Sequence, residues 1–170
     1  SPFNFEEGAG RLGIVCNGVS YAYVHDALED LGLASRVRVL RLGFSHPLPE
    51  ERIRGFLAAC DRVLVVEEAE PVMEEALRAI AQSATLTLPI QGKGERLFSR
   101  LYEFDPALVR RVVARAFDVP LEPTPLPDLS DVPDLPQRPP SLCAGCSHRA
   151  TFYAVKKATK GMDVIHPSDI

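Results

Sequence analysis

With 46% hydrophobic and 25% charged residues over a length of 170, the chain has the composition of a globular protein of one domain or slightly more. A formal net charge of −4 argues against a general nucleic-acid footprint. No apolar run reaches the ~20 residues that a membrane span needs, Ser1 to Glu7 is no signal peptide, and four cysteines are few for a disulfide scaffold, so a cytoplasmic protein is expected.

The run Arg11 to Asn17 is apolar and ends in Gly18, which predicts a first strand buried on both faces. Ser20 can cap a helix whose inner stripe is Val24, Ala27, Leu28 and Leu31, and Gly32 stops it. Residues Arg36 to Leu42 alternate and predict a second strand with one face partly exposed. Pro49 suits the first turn of a helix that buries Ile53, Phe56, Leu57 and Cys60. Arg62 to Val66 is the most strongly apolar strand, followed by Pro71 and a helix with Met73, Ala76, Leu77 and Ile80 inside. Thr85 to Pro89 reads as a shorter strand, and Asp105-Pro106 caps a helix lined by Val109, Val112, Val113 and Ala116. Strands and helices in this alternation predict an α/β fold, a three-layer αβα arrangement around a mainly parallel sheet, over residues 11–118.

Composition then shifts. Eight of the twenty-one residues from Pro120 to Pro140 are proline, so 119–140 reads as a semi-rigid linker. In polyproline II geometry it could cross ~60 Å. Residues 141–170 begin a second, partial domain: Ser147 can cap a helix to Thr159 with Phe152 and Val155 inside, Gly161 ends it, and Asp163 to Ile165 begins a strand. One helix and half a strand are too little to bury a core, so this tail is expected to be disordered, docked or paired with another chain.

Several motifs carry candidate chemistry. Gly8-Ala-Gly-Arg-Leu-Gly13 has the letters of a dinucleotide fingerprint but precedes the first predicted strand, so a flexible lead-in is the better reading. Glu67-Glu68 lies at the carboxyl end of a strand, where open sheets place ligands, yet acidic residues beside a helix N-terminus explain it more simply. His46 reads as a solvated loop histidine, and Gln91-Gly-Lys-Gly94 as a turn rather than an anion nest. Cys16 and Cys60 read as buried hydrophobes. Cys143-Ala-Gly-Cys146 with His148 is the sharpest signal. Its spacing lets two thiolates grip one metal, Gly145 permits the tight turn, and a following helix lowers thiol pKa values. A tight turn without ligation weighs about equally. A complete site needs two more ligands, and His148 and His166 are the local candidates.

Arg138 to Lys157 (RPPSLCAGCSHRATFYAVKK) resembles the segment RPPxLCPGCPHRxxFYALKKA of the indolepyruvate:ferredoxin oxidoreductase α subunits, within the thiamine-diphosphate-dependent 2-oxoacid:ferredoxin oxidoreductases. Gly18 to Val24, Leu42 to Pro49 and Val63 to Glu68 resemble that family's central domain, which is similar to the transketolase C-terminal domain. Ala144 and Ser147 stand where the family often has proline, a change in turn rigidity more than in chemistry. The resemblance implies a fragment: the central domain, then the start of the pyrophosphate-binding domain. It implies thiamine diphosphate, Mg²⁺ and [4Fe-4S] clusters as cofactors. Cys143, Gly145, Cys146 and His148 would lie near the cofactor, and Cys143 and Cys146 would be the metal ligands. It also implies a β subunit and ferredoxin as partners, coenzyme A and aryl pyruvates as substrates, and an oligomer without nucleic acid or membrane contacts. The catalytic glutamate, the diphosphate-binding motif and the ferredoxin cysteines would lie outside this chain, leaving the fragment itself structural and inactive. The break at Ile170 favours this reading over a stand-alone α/β binding module with a zinc-binding CxxCxH tail.

Overall fold

The structure is a computed structural model and describes residues 2–122, 128, 130–134, 136–137 and 141–167. Most prolines of the expected linker lie outside the described residues. The chain divides into two compact units, residues 1–124 and 125–170.

The first unit is a five-stranded sheet with helices on both faces. Its strands are β1 (Asn4–Gly8), β2 (Leu12–Asn17), β3 (Val37–Leu42), β4 (Arg62–Val66) and β5 (Ile90–Gln91). Its helices are α1 (Ser20–Asp30), α2 (Glu50–Ala58), α3 (Val72–Ser83) and α4 (Pro106–Ala116). The sheet order is β1-β3-β2-β4-β5. Four strands run parallel, and β1 is antiparallel to β3 with Asn4 opposite Leu42.

Alternation along the strands feeds two cores. Ile14, Cys16, Val39, Leu64 and Val66 point to one face, where they meet Val24 and Leu28 of α1 and Val109, Val112 and Val113 of α4. Val15, Leu40, Val63 and Val65 point to the other, against Ile53, Phe56 and Leu57 of α2 and Met73 and Leu77 of α3. Each fully buried side chain of this kind is worth about 1.5–3 kcal/mol relative to exposure, and removing Phe56 would empty the centre of the second core.

Several expectations need correction. An extra strand, β1, precedes the expected start at residue 11. It also removes the flexible lead-in. Gly8 ends β1 at φ +73 and Gly10 follows at φ +102, with a Cβ on either falling 2.2 Å from the carbonyl oxygens of Val37 and Arg36. Ser20 opens α1 without capping it, because the N-cap position is Val19 and no side chain bonds there. Thr85–Pro89 is not a strand. The chain turns at Thr85 (φ 55) directly after α3, and only Ile90 and Gln91 reach the register of β4.

The second unit contains α5 (Ser147–Ala158), none of whose residues is buried. Phe152 and Val155 are half-buried rather than inside. Residues 163–165 form no strand. They run back along the helix, with Thr159 Oγ1 and His166 Nε2 3.0 Å apart, and bound an open cleft of about 830 Å³ lined by Phe152, Val155, Val164 and Ile165.

Candidate functional site

Two places in the chain concentrate polar chemistry. The first is the carboxyl end of β4, beside the point where the strand order reverses between β2 and β4. Open α/β sheets place ligands there, and the N-terminus of the next helix attracts an anion. Here the protein supplies that anion itself. The Glu67 carboxylate accepts the backbone N–H of Met73 and of Glu74, each at 2.8 Å. Its neighbour Glu68 accepts the Phe104 amide at 2.9 Å.

The Gln91–Gly94 turn then closes over this end. Glu74, buried on α3, accepts the amides of Lys93 at 2.6 Å and Gly94 at 3.0 Å. It also pairs with Arg78 at 2.9 Å, and Arg78 bridges on to Glu95 at 2.7 Å. Lys93 is buried. Its Nζ donates to the Glu67 carbonyl and sits 5.0 Å from the centre of the Phe104 ring. The turn does form an anion nest, and Glu74 fills it. Burial pushes the Glu67 carboxyl up, against the two amides that favour its charged form, and burial pushes the Lys93 ammonium down. The Met73, Glu74, Lys93 and Gly94 amides and the Lys93 ammonium all meet protein acceptors, so the arrangement is a structural clasp. Glu74 and Lys93 were not singled out from the sequence as partners. They are nineteen positions apart, and only the Gly-Lys-Gly turn hinted at an anion.

The second place is the cysteine turn. The Cys146 amide donates to the Cys143 carbonyl at 3.2 Å, and Gly145 takes φ +79, a left-handed conformation that glycine adopts without penalty. Cys146 sits at the N-cap position of α5, with its Sγ 3.8 Å from His148 Nδ1. The Arg149 backbone amide and the His148 side chain hold its thiol below the ordinary value. Cys143 is exposed. The turn thus brings Cys146 and His148 together with Cys143 one turn away. Among the described residues no group of three or more His, Cys, Asp or Glu side chains converges as a metal site. His166 bonds toward Thr159.

Other candidates resolve simply. His46 is exposed in its loop. Burial pushes the Cys16 thiol up to about 12 and the Cys60 thiol up to about 11, as inert core thiols require. No helix among the described residues is long and apolar enough to cross a membrane.

No protein-family model matches the chain. Among curated proteins it is similar to the indolepyruvate oxidoreductase subunit IorA of Methanothermobacter thermautotrophicus, at 42% identity over 94% of the chain. It is also similar to the subunits of the same name from Pyrococcus abyssi (41% over 100%) and Archaeoglobus fulgidus (35% over 97%). In each case the chain spans 26% of the relative's length. Among solved structures it is similar to a 2-oxoglutarate:ferredoxin oxidoreductase from Magnetococcus marinus (TM-score 0.48, 19% identity, 66% of this chain and 19% of that one). A split-gene transketolase, solved as an inactive beta4 tetramer, gives a TM-score of 0.49 at 19% identity over 64% of this chain and 39% of that one. By sequence, across both of its units, the chain belongs to the family of the indolepyruvate oxidoreductase IorA subunits and corresponds to a segment about a quarter of their length.

Proposed function

We propose that the chain is a segment of a cytoplasmic indolepyruvate:ferredoxin oxidoreductase α subunit. In this reading the whole protein, with its β subunit, oxidatively decarboxylates aryl pyruvates to acyl-coenzyme A and passes two electrons to ferredoxin. Residues 1–124 form a transketolase-C-like domain that organises the assembly, and residues 141–170 open the pyrophosphate-binding domain. The observation that carries the reading is the 41% identity to a Pyrococcus abyssi IorA across the full chain, which takes in sheet domain and cysteine turn alike.

Thiamine diphosphate, when bound, supplies an electron sink for the pair released as CO₂ leaves a 2-oxo acid. The residues of this chain fit a [4Fe-4S] cluster by half. Cys143 and Cys146 would bind as thiolates, Gly145 sets their turn, and His148 favours the ionised Cys146 sulfur. The remaining ligands, and those of Mg²⁺ and diphosphate, would come from elsewhere in the longer polypeptide. In this reading the first unit is structural, and the side chains of Glu67 and Glu74 at the end of β4 support it by accepting backbone amides there.

The test is iron content. Full-length protein carrying Cys143→Ala or Cys146→Ala, reconstituted anaerobically, is expected to lose one cluster's worth of iron and its electron transfer to ferredoxin. Unchanged iron in both variants would remove the cluster role.

A further inference from the structure

The exposed large apolar side chains described in the first unit are Phe3, Val19, Phe44, Val72, Leu101 and Tyr102. They come from five separate stretches of sequence, and all lie at one end of the sheet. Phe3 precedes the antiparallel β1, Val19 follows β2 and Phe44 follows β3. Val72 opens α3 after β4, and Leu101 and Tyr102 follow β5. The sheet order sets these loops side by side, and contacts join them in two sets. Phe3 packs edge-on against Phe44 with ring centres 5.4 Å apart, Arg100 pairs with Glu70 at 3.3 Å, and the Phe104 amide reaches Glu68. The opposite end carries charge pairs instead, Arg11 with Asp61 at 2.5 Å and Arg62 with Asp118 at 2.9 Å.

Tyr102 marks the rim most clearly. It is 89% exposed and holds φ 67, a left-handed conformation that a bulky side chain rarely adopts. An outward aromatic ring of this size suits an interface, where tyrosine is enriched. Five strands spaced ~4.8 Å apart make the rim about 20 Å long, and six such side chains present on the order of 600 Å² of apolar area, close to the ~800 Å² per partner of a standard protein interface.

We infer that this carboxyl rim is a docking surface for another protein domain whose face is apolar at its centre and basic at its edge. Charge selects that occupant. Around the rim Glu50, Glu70, Glu75, Glu103 and Asp105 outnumber Arg52, Arg96 and Arg100. A second copy in face-to-face docking would oppose acid to acid, and an anionic lipid surface would be repelled. The inference rests on the reading of this unit as an organising domain. It adds the surface through which the organising is done.

The experiment places a photo-crosslinker in the full-length polypeptide within its native assembly, as Tyr102→p-benzoylphenylalanine and separately as Val72→p-benzoylphenylalanine. Irradiated adducts are mapped by mass spectrometry. The expected result is one shared target outside residues 1–170, an apolar segment flanked by lysine or arginine. Yield should fall by about tenfold when Glu70→Lys and Glu103→Lys are combined, since reversed rim charges oppose the encounter. Adducts on the same rim of a second copy, adducts on an acidic surface, or none from either position would overturn the inference. Oxidation of an aryl pyruvate by the same preparations reports separately on the proposed function. Turnover without adducts removes the surface alone.

Discussion

The carboxylate of Glu74 and the backbone amide of Lys93 lie 2.6 Å apart, joining the first turn of α3 to the turn after β5. Glu74 accepts three further hydrogen bonds, from Gly94 and from two nitrogens of Arg78. Truncating it leaves buried donors unpaired, which costs more than the bonds themselves contribute. Glu74→Ala should therefore lower the unfolding free energy by about 3 kcal/mol, with Glu74→Gln losing about half as much because its amide oxygen still accepts. Urea unfolding followed by circular dichroism measures both. Equal losses would show that charge, rather than the accepting oxygen, secures the turn.

Glu67 gives the fold a pH dependence of defined sign. Burial raises its pKa in the folded state above the ordinary glutamate value of 4.5. The folded protein therefore holds this proton more tightly than the unfolded chain. Its contribution to stability is greatest below 4.5 and is lost as pH rises through the raised folded value. Replacing Glu67 by Gln should remove that segment of the stability–pH curve, while the curve's other features persist. Unfolding midpoints collected from pH 4 upward, on both proteins, make the comparison. A variant curve of unchanged shape would show that Glu67 titrates alike in both states.

Cys146 should react as a thiolate at lower pH than an ordinary cysteine. In metal-free Cys143→Ala protein, its alkylation by iodoacetamide should titrate below the ordinary thiol value of 9.0. Adding His148→Ala should move that titration part of the way back, since the Arg149 amide at the helix start remains. A profile untouched by His148→Ala would assign the whole effect to the backbone.

Gly10 tests the tightness of the β1 connection. An added Cβ would meet the Arg36 carbonyl oxygen at 2.2 Å, and the backbone is left-handed there. Gly10→Ala is expected to cost about 3 kcal/mol or more. Gly18→Ala, also left-handed but with open space around it, should cost only about 1 kcal/mol. Similar losses at both positions would mean that backbone conformation alone sets the cost.

The core was legible because burial repeats along the chain. Ile14, Val15 and Cys16, or Val63 to Val66, are short β-branched-rich runs between turn signals that read as strands covered on both faces, and Ile53, Phe56 and Leu57 recur at helical spacing. Asp105 announced its helix by chemistry, and its side chain accepts the Leu108 amide at 2.7 Å. β1 was not legible. It is an edge strand of sequence NFEEG whose one fully buried residue is Asn4, so no hydrophobic alternation marks it. At the cysteine turn, spacing gave Cys143, Gly145 and Cys146 their places. The clasp of Glu67, Glu74 and Lys93 is a product of tertiary folding, because three segments far apart in sequence meet only after the sheet has formed.

That clasp also sets the terms on which this end of the sheet could take a ligand. Doubly wound sheets usually keep a vacant seat at the strand-order reversal, and a nucleotide or coenzyme takes it. Here the Glu67 carboxylate takes that seat, so an incoming anion would have to displace two 2.8 Å hydrogen bonds to enter. The protein's own side chain competes with any ligand at that helix end, so folding of the clasp and binding at the seat are opposed.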